Sequence, residues 1–341
     1  MKAFFSLNIN LFRRFIFFQT KLINPKKILI LSLKILIGII SFWIIYTRLT
    51  SIPELKEQCL FWFSEPAMYY IVIVVLLLMP INWGIESYKW KTITTQIEPI
   101  SYSTALKSIF SGICVGNIAP GRALEFLAKI VFFKPDSRPS VTILHFINGM
   151  FQMLITVTVG VISIAYKLNQ NNQSSLFIYA ALISGFFMIL FFCWAIFHVG
   201  YIQKKLRFIK WFRKMDDAKN IQFSKTLILK LISFSIIRYF VFTMQFYLIY
   251  NALAPQNDIL QIFMSIATYF MLTSLIPMIS AIEPAIRAAI ALFVFNNNGD
   301  NTIIIVLSST FVWIINVVVP SAIGYIIILK EKIDFRSAHA N

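Results

Sequence analysis

The stretch GNIAPGRALEFLAKIVFFK, residues 116–134, decides the fold, because it places a helix breaker and charged side chains inside an apolar region. Pro120-Gly121 interrupts any helix that runs through it. Arg122, Glu125 and Lys129 follow directly behind the break. The stretch therefore predicts two half-length helices that enter and leave a membrane by the same face, rather than one straight span.

A second stretch, SLIPMISAIEPAIRAAIALFVF at residues 274–295, partly repeats this pattern. Pro277, Glu283 and Arg287 recur there in the same order of proline, glutamate and basic residue. A proline in mid-span removes a backbone hydrogen bond and disfavours a continuous helix. This region also predicts a broken helical hairpin.

Composition places both hairpins in a membrane. The chain has 341 residues, of which 58% are hydrophobic and 13% charged, with a mean hydropathy of +0.76. Soluble domains carry about 25% charged residues, so the sequence predicts an integral, multi-pass membrane protein. The net charge is +17, and the basic residues that produce it lie between the hydrophobic runs. This position favours cytoplasmic loops that contact anionic lipid over a nucleic-acid-binding surface. The three cysteines lack metal-ligand spacing, and no catalytic motif occurs. We expect neither a metal, a cofactor nor an enzyme.

Apolar runs long enough to cross about 30 Å of hydrocarbon predict six full spans. The two broken regions, residues 104–134 and 259–295, are additional. The predicted spans cover residues 28–46, 66–85, 141–166, 176–199, 226–251 and 303–329.

The distribution of Lys and Arg selects the topology. With both broken regions re-entrant, 21 basic residues fall in the predicted cytoplasmic segments and 2 in the external ones. This is the asymmetry that the positive-inside rule expects, and both termini are then cytoplasmic. Full crossing by only one broken region would remove the asymmetry, and crossing by both is disfavoured less strongly.

This topology predicts an all-α protein built from two units of the same plan. A basic amphipathic segment, residues 1–27, precedes unit one at 28–166, and unit two at 167–329 precedes a short tail, 330–341. Each unit crosses an odd number of times, so unit two is inverted relative to unit one. Inverted repeats with broken helices are typical of secondary transporters that bind substrate near mid-membrane.

The hairpin tips are the candidate substrate site. A break in a helix at membrane depth requires a polar cavity, and the start of a returning half-helix favours an anion. Arg122 adds a donor fork suited to phosphate. Glu125 and Lys129 share a face, as do Glu283 and Arg287, so the alternative is a set of structural ion pairs. The candidate substrate-binding residues are Asn117, Gly121, Arg122, Glu125, Lys129, Ser280, Glu283 and Arg287.

Further polar residues are candidates for lining the same cavity. His145, Asn148, Gln152 and Thr156 form one stripe along the span at 141–166, which either lines a cavity or bonds a neighbouring helix. The stretch NWGIESYKWK, residues 82–91, contributes Glu86 but is more typical of an aromatic belt with lysines that reach to the interface. The remaining candidates are Arg238 and Asn316, the latter near Trp313.

The stretches NWGIESYKW and GNIAPGRALEF, with the second charged hairpin, resemble the flippase-like transmembrane domain family, which is related to the membrane region of lysylphosphatidylglycerol synthases. The resemblance covers roughly residues 28–330. It implies movement of a phospholipid or polyprenyl-type lipid between leaflets, with Arg122 and Glu125 matching the Pro-Gly-Arg-x-x-Glu element. Leu124 stands where the family pattern has glycine, and Lys129 where arginine is common.

The sequence therefore leads to the hypothesis of a lipid flippase-like transporter for an anionic phospholipid or polyprenyl phosphate, in the cytoplasmic membrane. One alternative is a non-transporting subunit that recruits a partner protein through the basic loop at 200–225. The other is a carrier of small anions on the same plan. The lipid, the direction, the energy source and the oligomeric state are left open.

Overall fold

The computed structural model describes residues 66–117, 124–170, 174–206, 221–253, 258–276, 282–295 and 302–331, with Trp43, Arg122, Phe208 and Met278. This described part is all-helical and contains no strand. Five of its helices are long and apolar enough to cross a membrane. The prediction of an all-α membrane protein is thereby confirmed at the level of class.

The described part of the chain contains eleven α-helices and two short helical turns of other types. A 3-10 turn at Pro135–Ser137 precedes α4, and a π-helical turn at Ile314–Val318 joins the last two helices. The α-helices are α1 Pro66–Thr94, α2 Tyr102–Gly116, α3 Glu125–Ile130, α4 Arg138–Gln170, α5 Ser175–Phe197, α6 Val199–Leu206, α7 Lys225–Leu253, α8 Ile259–Leu275, α9 Glu283–Phe295, α10 Thr302–Trp313 and α11 Val319–Lys330.

The long helices coincide with five of the six predicted spans. Helices α1, α4, α5 and α7 each contain or match one, and α10 with α11 forms the last. Helix α1 continues to Thr94, so the stretch at 82–91 belongs to its final turns rather than to a loop. The predicted span at 28–46 and the segment at 1–27 lie outside the described residues, apart from Trp43.

The first broken region folds back on itself. Ser108 in α2 donates a hydrogen bond of 3.1 Å to the backbone carbonyl of Lys129 in α3. Gly112 and Gly116 of α2 face Glu125, and a Cβ at Gly112 would lie 2.8 Å from the Lys129 side chain. The glycines therefore let two antiparallel helices approach closely.

The second broken region has the same form. Lys167 at the end of α4 donates to Ser265 in α8 (2.9 Å) and to the carbonyl of Val294 in α9 (2.6 Å). The end of α9 therefore returns to the first half of α8. Pro284 occupies the first turn of α9, where its missing N–H removes no helical hydrogen bond.

Packing between the helices is reciprocal. Helix α1 lies along α7, which brings the second half of the chain against the first. The hairpin helix α2 packs on α11, and the hairpin helix α8 packs on α4. Each hairpin thus lies against the final long helix of the other half of the chain.

Helix α5 faces outward and packs mainly on α4. It is the most apolar of the five long helices, and only Gly185, Phe192, Ala195 and Ile196 are buried in it. Phe186 and Phe187 are 57% and 65% exposed. An exposed face of this composition is expected to contact lipid rather than water.

Gly324 marks the tightest contact between helices and leads to a first prediction. A Cβ at this position in α11 would lie 2.0 Å from the carbonyl oxygen of Phe110 in α2. Because that atom belongs to the backbone, Gly324→Ala must push the helices apart. We expect a loss of at least about 1–3 kcal/mol of stability, measured as a lower Tm in detergent.

Gly149 in α4 provides the matched control, since a Cβ there meets no heavy atom within 4 Å. Gly149→Ala is expected to leave Tm unchanged or to raise it, because alanine favours a helix by about 1 kcal/mol over glycine. Equal Tm values for the two variants would contradict the close packing of α2 on α11.

Candidate functional site

A cavity of about 530 Å³ lies between the two hairpins and the long helices α1, α4 and α7. Its wall brings together candidates that are up to 201 residues apart in the chain, from Glu86 to Arg287. The predicted residues that line it are Glu86, Arg122, Glu125, Lys129, His145, Asn148, Gln152, Arg238, Glu283 and Arg287.

A smaller cavity of about 160 Å³ adjoins the first. The two share Trp83, Arg122 and Arg238 among their lining residues. The smaller one adds Asn316 and Thr156, which are also predicted candidates. The two cavities together form one polar space, called here the chamber.

Glu86 is the centre of the first ion cluster on the chamber wall. Its Oε2 lies 3.1 Å from Arg238 Nη1 and 3.5 Å from Lys89 Nζ. Its Oε1 accepts a hydrogen bond of 2.7 Å from the Asn148 amide. Lys89 also donates to the Ser235 hydroxyl at 3.2 Å. One carboxylate thereby holds two cations, from α1 and α7, in a fixed position.

A chain of amides continues from this cluster into the protein. Arg238 Nε donates to Asn82 Oδ1 and Asn82 Nδ2 donates to Asn316 Oδ1, both at 3.1 Å. Asn316 Nδ2 donates to Gln245 Oε1 at 3.0 Å. Asn316 lies in the π-helical turn, which Pro320 favours because it has no N–H for the Asn316 carbonyl. The network ties α1, α7 and the last long helix together.

Lys129 forms the second ion cluster, within the first hairpin. Its Nζ lies 2.7 Å from Glu125 Oε1 and 3.4 Å from His145 Nδ1. The ammonium also stands over the Trp90 ring, 5.5 Å from its centroid, an arrangement that stabilises a cation. The pair is therefore internally neutral.

Glu283 and Arg287 form a third pair on α9. The carboxylate oxygen Oε1 accepts from both Nε and Nη2 of the guanidinium, each at 2.8 Å. Glu283 is buried and Arg287 is partly exposed to the chamber. The predicted i,i+4 pairing is present on this helix.

Arg122 differs from the other charged residues of the chamber. Its Nε and Nη2 atoms are buried and have no hydrogen-bond partner. Of the charged side chains that line the chamber in the described residues, it alone has no ion pair. Its backbone has a φ of 57°, a left-handed conformation that non-glycine residues adopt where the surrounding structure imposes it.

The charges on the wall do not balance. The larger cavity is lined by four cations, Arg122, Lys129, Arg238 and Arg287, and by three carboxylates. Each of these carboxylates is paired with a cation of the wall, and Glu86 also holds the buried Lys89. Positive charge is therefore in surplus both at the Glu86 cluster and at Arg122, which has no ion pair in the described residues. Buried N–H groups without partners also include Trp83 Nε1 and Trp313 Nε1 on the same chamber. The wall also has unpaired acceptors at Asn148 Oδ1 and Gln152 Oε1, but its unpaired N–H donors and its net positive charge suit an oxyanion.

Three predicted candidates are not placed on this wall. The Asn117 amide donates to the Ser321 hydroxyl of α11, so this residue joins the first hairpin to the last long helix. Gly121 and Ser280 lie outside the described residues.

The interpretation of residues 82–91 as an interfacial belt is wrong for Trp83, Lys89 and Trp90. Lys89 and Trp90 have 0% of their surface exposed and Trp83 has 5%. Lys89 is held by Glu86 and Ser235 instead of reaching toward headgroups. Arg238 lies over the Trp83 ring at 4.9 Å. Trp83 therefore lines the chamber, and Lys89 and Trp90 are buried next to residues that line it.

Sequence reasoning missed Gln245, Thr273 and Ser274. The latter two end α8 and line both cavities, and Gln245 closes the amide network. Their signal was weak, since a single polar residue in an apolar helix is common. For Thr273 and Ser274, closeness to Pro277 was the usable indication.

Comparisons with known proteins identify no relative. No family model, no curated protein and no solved structure matches this chain.

Proposed function

We propose that this protein is a lipid flippase-like transporter that binds the anionic headgroup of a phospholipid or polyprenyl phosphate in the chamber. The observation that carries the proposal is Arg122, a partly buried cation whose Nε and Nη2 have no hydrogen-bond partner in the described residues. Buried donors of a cation require an acceptor; water in the chamber can supply one, but only an anion also compensates the charge. A phosphate oxygen supplies the missing acceptor and the missing charge.

The paired charges have a supporting role in this proposal. Glu125 and Glu283 each neutralise one cation, and Glu86 offsets part of the charge of Lys89 and Arg238, which lowers the uncompensated positive charge on the wall. An incoming phosphate then meets one uncompensated guanidinium, while Arg287 and Lys129 stand nearby on the same wall. This arrangement favours reversible binding, which a transporter requires.

The proposal includes the inverted repeat and the re-entrant hairpins. Its support is the reciprocal packing of each hairpin on the final long helix of the other half. The unequal volumes of the two cavities, about 530 and 160 Å³ around the shared Arg122, fit a site open more widely to one side. Alternating access then requires that the wider opening lie first at one hairpin and then at the other.

Translocation in reconstituted vesicles tests the proposal. The purified protein is inserted into phosphatidylcholine vesicles with trace fluorescent phosphatidylglycerol, and the fraction accessible to a membrane-impermeant quencher is followed. We expect exchange of the fluorescent lipid between leaflets to be faster than in protein-free vesicles. A rate equal to that of protein-free vesicles would refute transport of this headgroup class.

A carrier of soluble anions shares the same chamber and is separated by a parallel measurement. Uptake of radiolabelled inorganic phosphate into the same vesicles is expected to remain at background. Phosphate uptake without lipid exchange would replace the proposal with the small-anion carrier. The other alternative is a subunit that recruits a partner protein through the basic loop. In the described part of that loop, α6 contains Lys204 and Lys205, and these two lysines do not indicate a particular partner.

A further inference from the structure

The chamber has an apolar side as well as a charged one. On α4, His145, Asn148 and Gln152 recur at i, i+3 and i+7 and line the larger cavity. Phe146, Gly149 and Met153 recur with the same spacing and line the same cavity. A shift of one residue turns a helix by 100°. A polar stripe and an apolar stripe therefore run side by side along one helix.

The apolar stripe reaches the outside of the protein, whereas the polar stripe is turned inward. Phe146 is 54% exposed and Gly149 is exposed, while Asn148 is buried. Across the cavity, Leu275 at the end of α8 is 37% exposed and lines the same space. Two exposed apolar edges thus border one side of a charged cavity.

Gly149 leaves a gap in this border. A Cβ at that position meets no heavy atom within 4 Å. The residue lies 11 positions after the first residue of α4, or about 16 Å along the helix axis, which is deep enough to fall within the hydrocarbon layer. A soluble anion is not expected to enter through an apolar opening at that depth, because it would lose its hydration in the hydrocarbon layer.

We propose that the opening bordered by Phe146, Gly149, Met153 and Leu275 is a lateral portal that holds the acyl chain of the lipid while its phosphate is bound at Arg122. The inference rests on the proposed function and adds the position of the tail. A lipid in this position keeps its chain in the bilayer and places only its headgroup in the polar chamber. The burial of apolar chain surface along the portal adds to the binding free energy, so the site selects amphiphiles over free phosphate.

Photolabelling from the acyl chain tests the portal. The probe is phosphatidylglycerol with a diazirine in one acyl chain, in phosphatidylcholine vesicles that contain the intact protein. Labelled residues are located by mass spectrometry. Phe186 and Phe187 on the exposed face of α5 report contact with bulk lipid in the same sample.

We expect labelling at residues 146–153, relative to 186–187, to fall several-fold in Arg122→Ala, because the headgroup no longer anchors the chain. The α5 signal is expected to stay constant, which also shows that the variant is folded and inserted. Equal relative labelling with and without Arg122 would overturn the portal, because residues 146–153 would then only touch bulk lipid.

Gly149 offers an independent variant. Gly149→Trp fills the gap and is expected to lower both the relative labelling and the translocation rate about tenfold, whereas Phe177→Trp on the exposed face of α5 retains both. Undiminished translocation in Gly149→Trp would overturn the portal while leaving the proposed function intact. Labelling that depends on Arg122 and Gly149 without any translocation in the unmodified protein would support the portal and refute transport.

Discussion

Arg122→Ala is expected to lower the rate of phospholipid translocation by roughly 10- to 100-fold, the effect of losing hydrogen bonds to a charged group worth about 1.5–3 kcal/mol. Arg122 supplies buried donors that lack a partner in the described residues. Alanine has the same steric restriction at a φ of 57°, so the backbone strain remains and only the guanidinium is removed. The measurement is leaflet exchange of phosphatidylglycerol in vesicles.

Two further variants separate the role of the planar donors of the guanidinium from the role of its charge. Arg122→Lys keeps the charge but loses the planar donors, and an intermediate rate is expected. Lys107→Ala removes a cation whose side chain is 43% exposed and paired with Glu331, and the wild-type rate is expected to persist. If Arg122→Ala transports as fast as Lys107→Ala does, the headgroup is not held by Arg122.

Glu86→Ala is expected to have the largest effect on stability. It leaves Lys89 and Arg238 in the protein interior without their shared carboxylate. Removal of one partner from a buried ion pair costs about 3–5 kcal/mol, because the remaining charge is uncompensated. Thermal unfolding in detergent should show a large decrease in Tm, or the protein should fail to accumulate.

The matched control for Glu86→Ala is Glu331→Ala. Glu331 is 36% exposed and pairs with Lys107 at 2.7 Å, and exposed pairs contribute about 0–1 kcal/mol. Its loss is expected to leave Tm nearly unchanged. Similar Tm values for the two variants would mean that Lys89 and Arg238 have water or another anion beside them, and the described cluster would be incorrect.

The long helices could be predicted because membrane crossing depends on local properties. Runs of apolar residues are required by the thickness of the hydrocarbon layer, and the ends of α4, α5 and α7 lie within a few residues of the predicted ends. The breaks behind α2 and α8 also follow from local chemistry, because proline removes a helical hydrogen bond. The number of spans, their orientation and the repeat remain predictions.

The chamber residues were predictable for a related reason. Arg238 and Glu283 are charged residues in apolar surroundings, and such residues are costly unless they face a cavity or a partner. The cost of a charge in apolar surroundings predicts that a residue faces inward, but it does not predict which residue is its partner. It therefore led to the chamber residues but left open which pairs form.

The incorrect interpretation of Lys89 shows where local reasoning fails. A lysine near the end of a span can reach the interface or turn inward, and the choice depends on whether a carboxylate and a hydroxyl are available. Ser235, its hydrogen-bond partner, lies 146 residues away in the sequence. Asn82 and Asn316 are 234 residues apart, and the pairing of α1 with the last long helix is not encoded in either segment alone.

The proposed transport requires a chamber that contains water and binds an anionic headgroup. The direct measurement is thiol labelling of Gln152→Cys, at a position that lines both cavities, in a protein whose Cys59, Cys114 and Cys193 are replaced by serine. A charged, membrane-impermeant thiol reagent is expected to modify this cysteine, and short-chain phosphatidylglycerol is expected to slow the reaction. Phe186→Cys on the lipid-facing side of α5 should not react. A Gln152→Cys protein as unreactive as Phe186→Cys would contradict the water-filled chamber and the transport proposed from it.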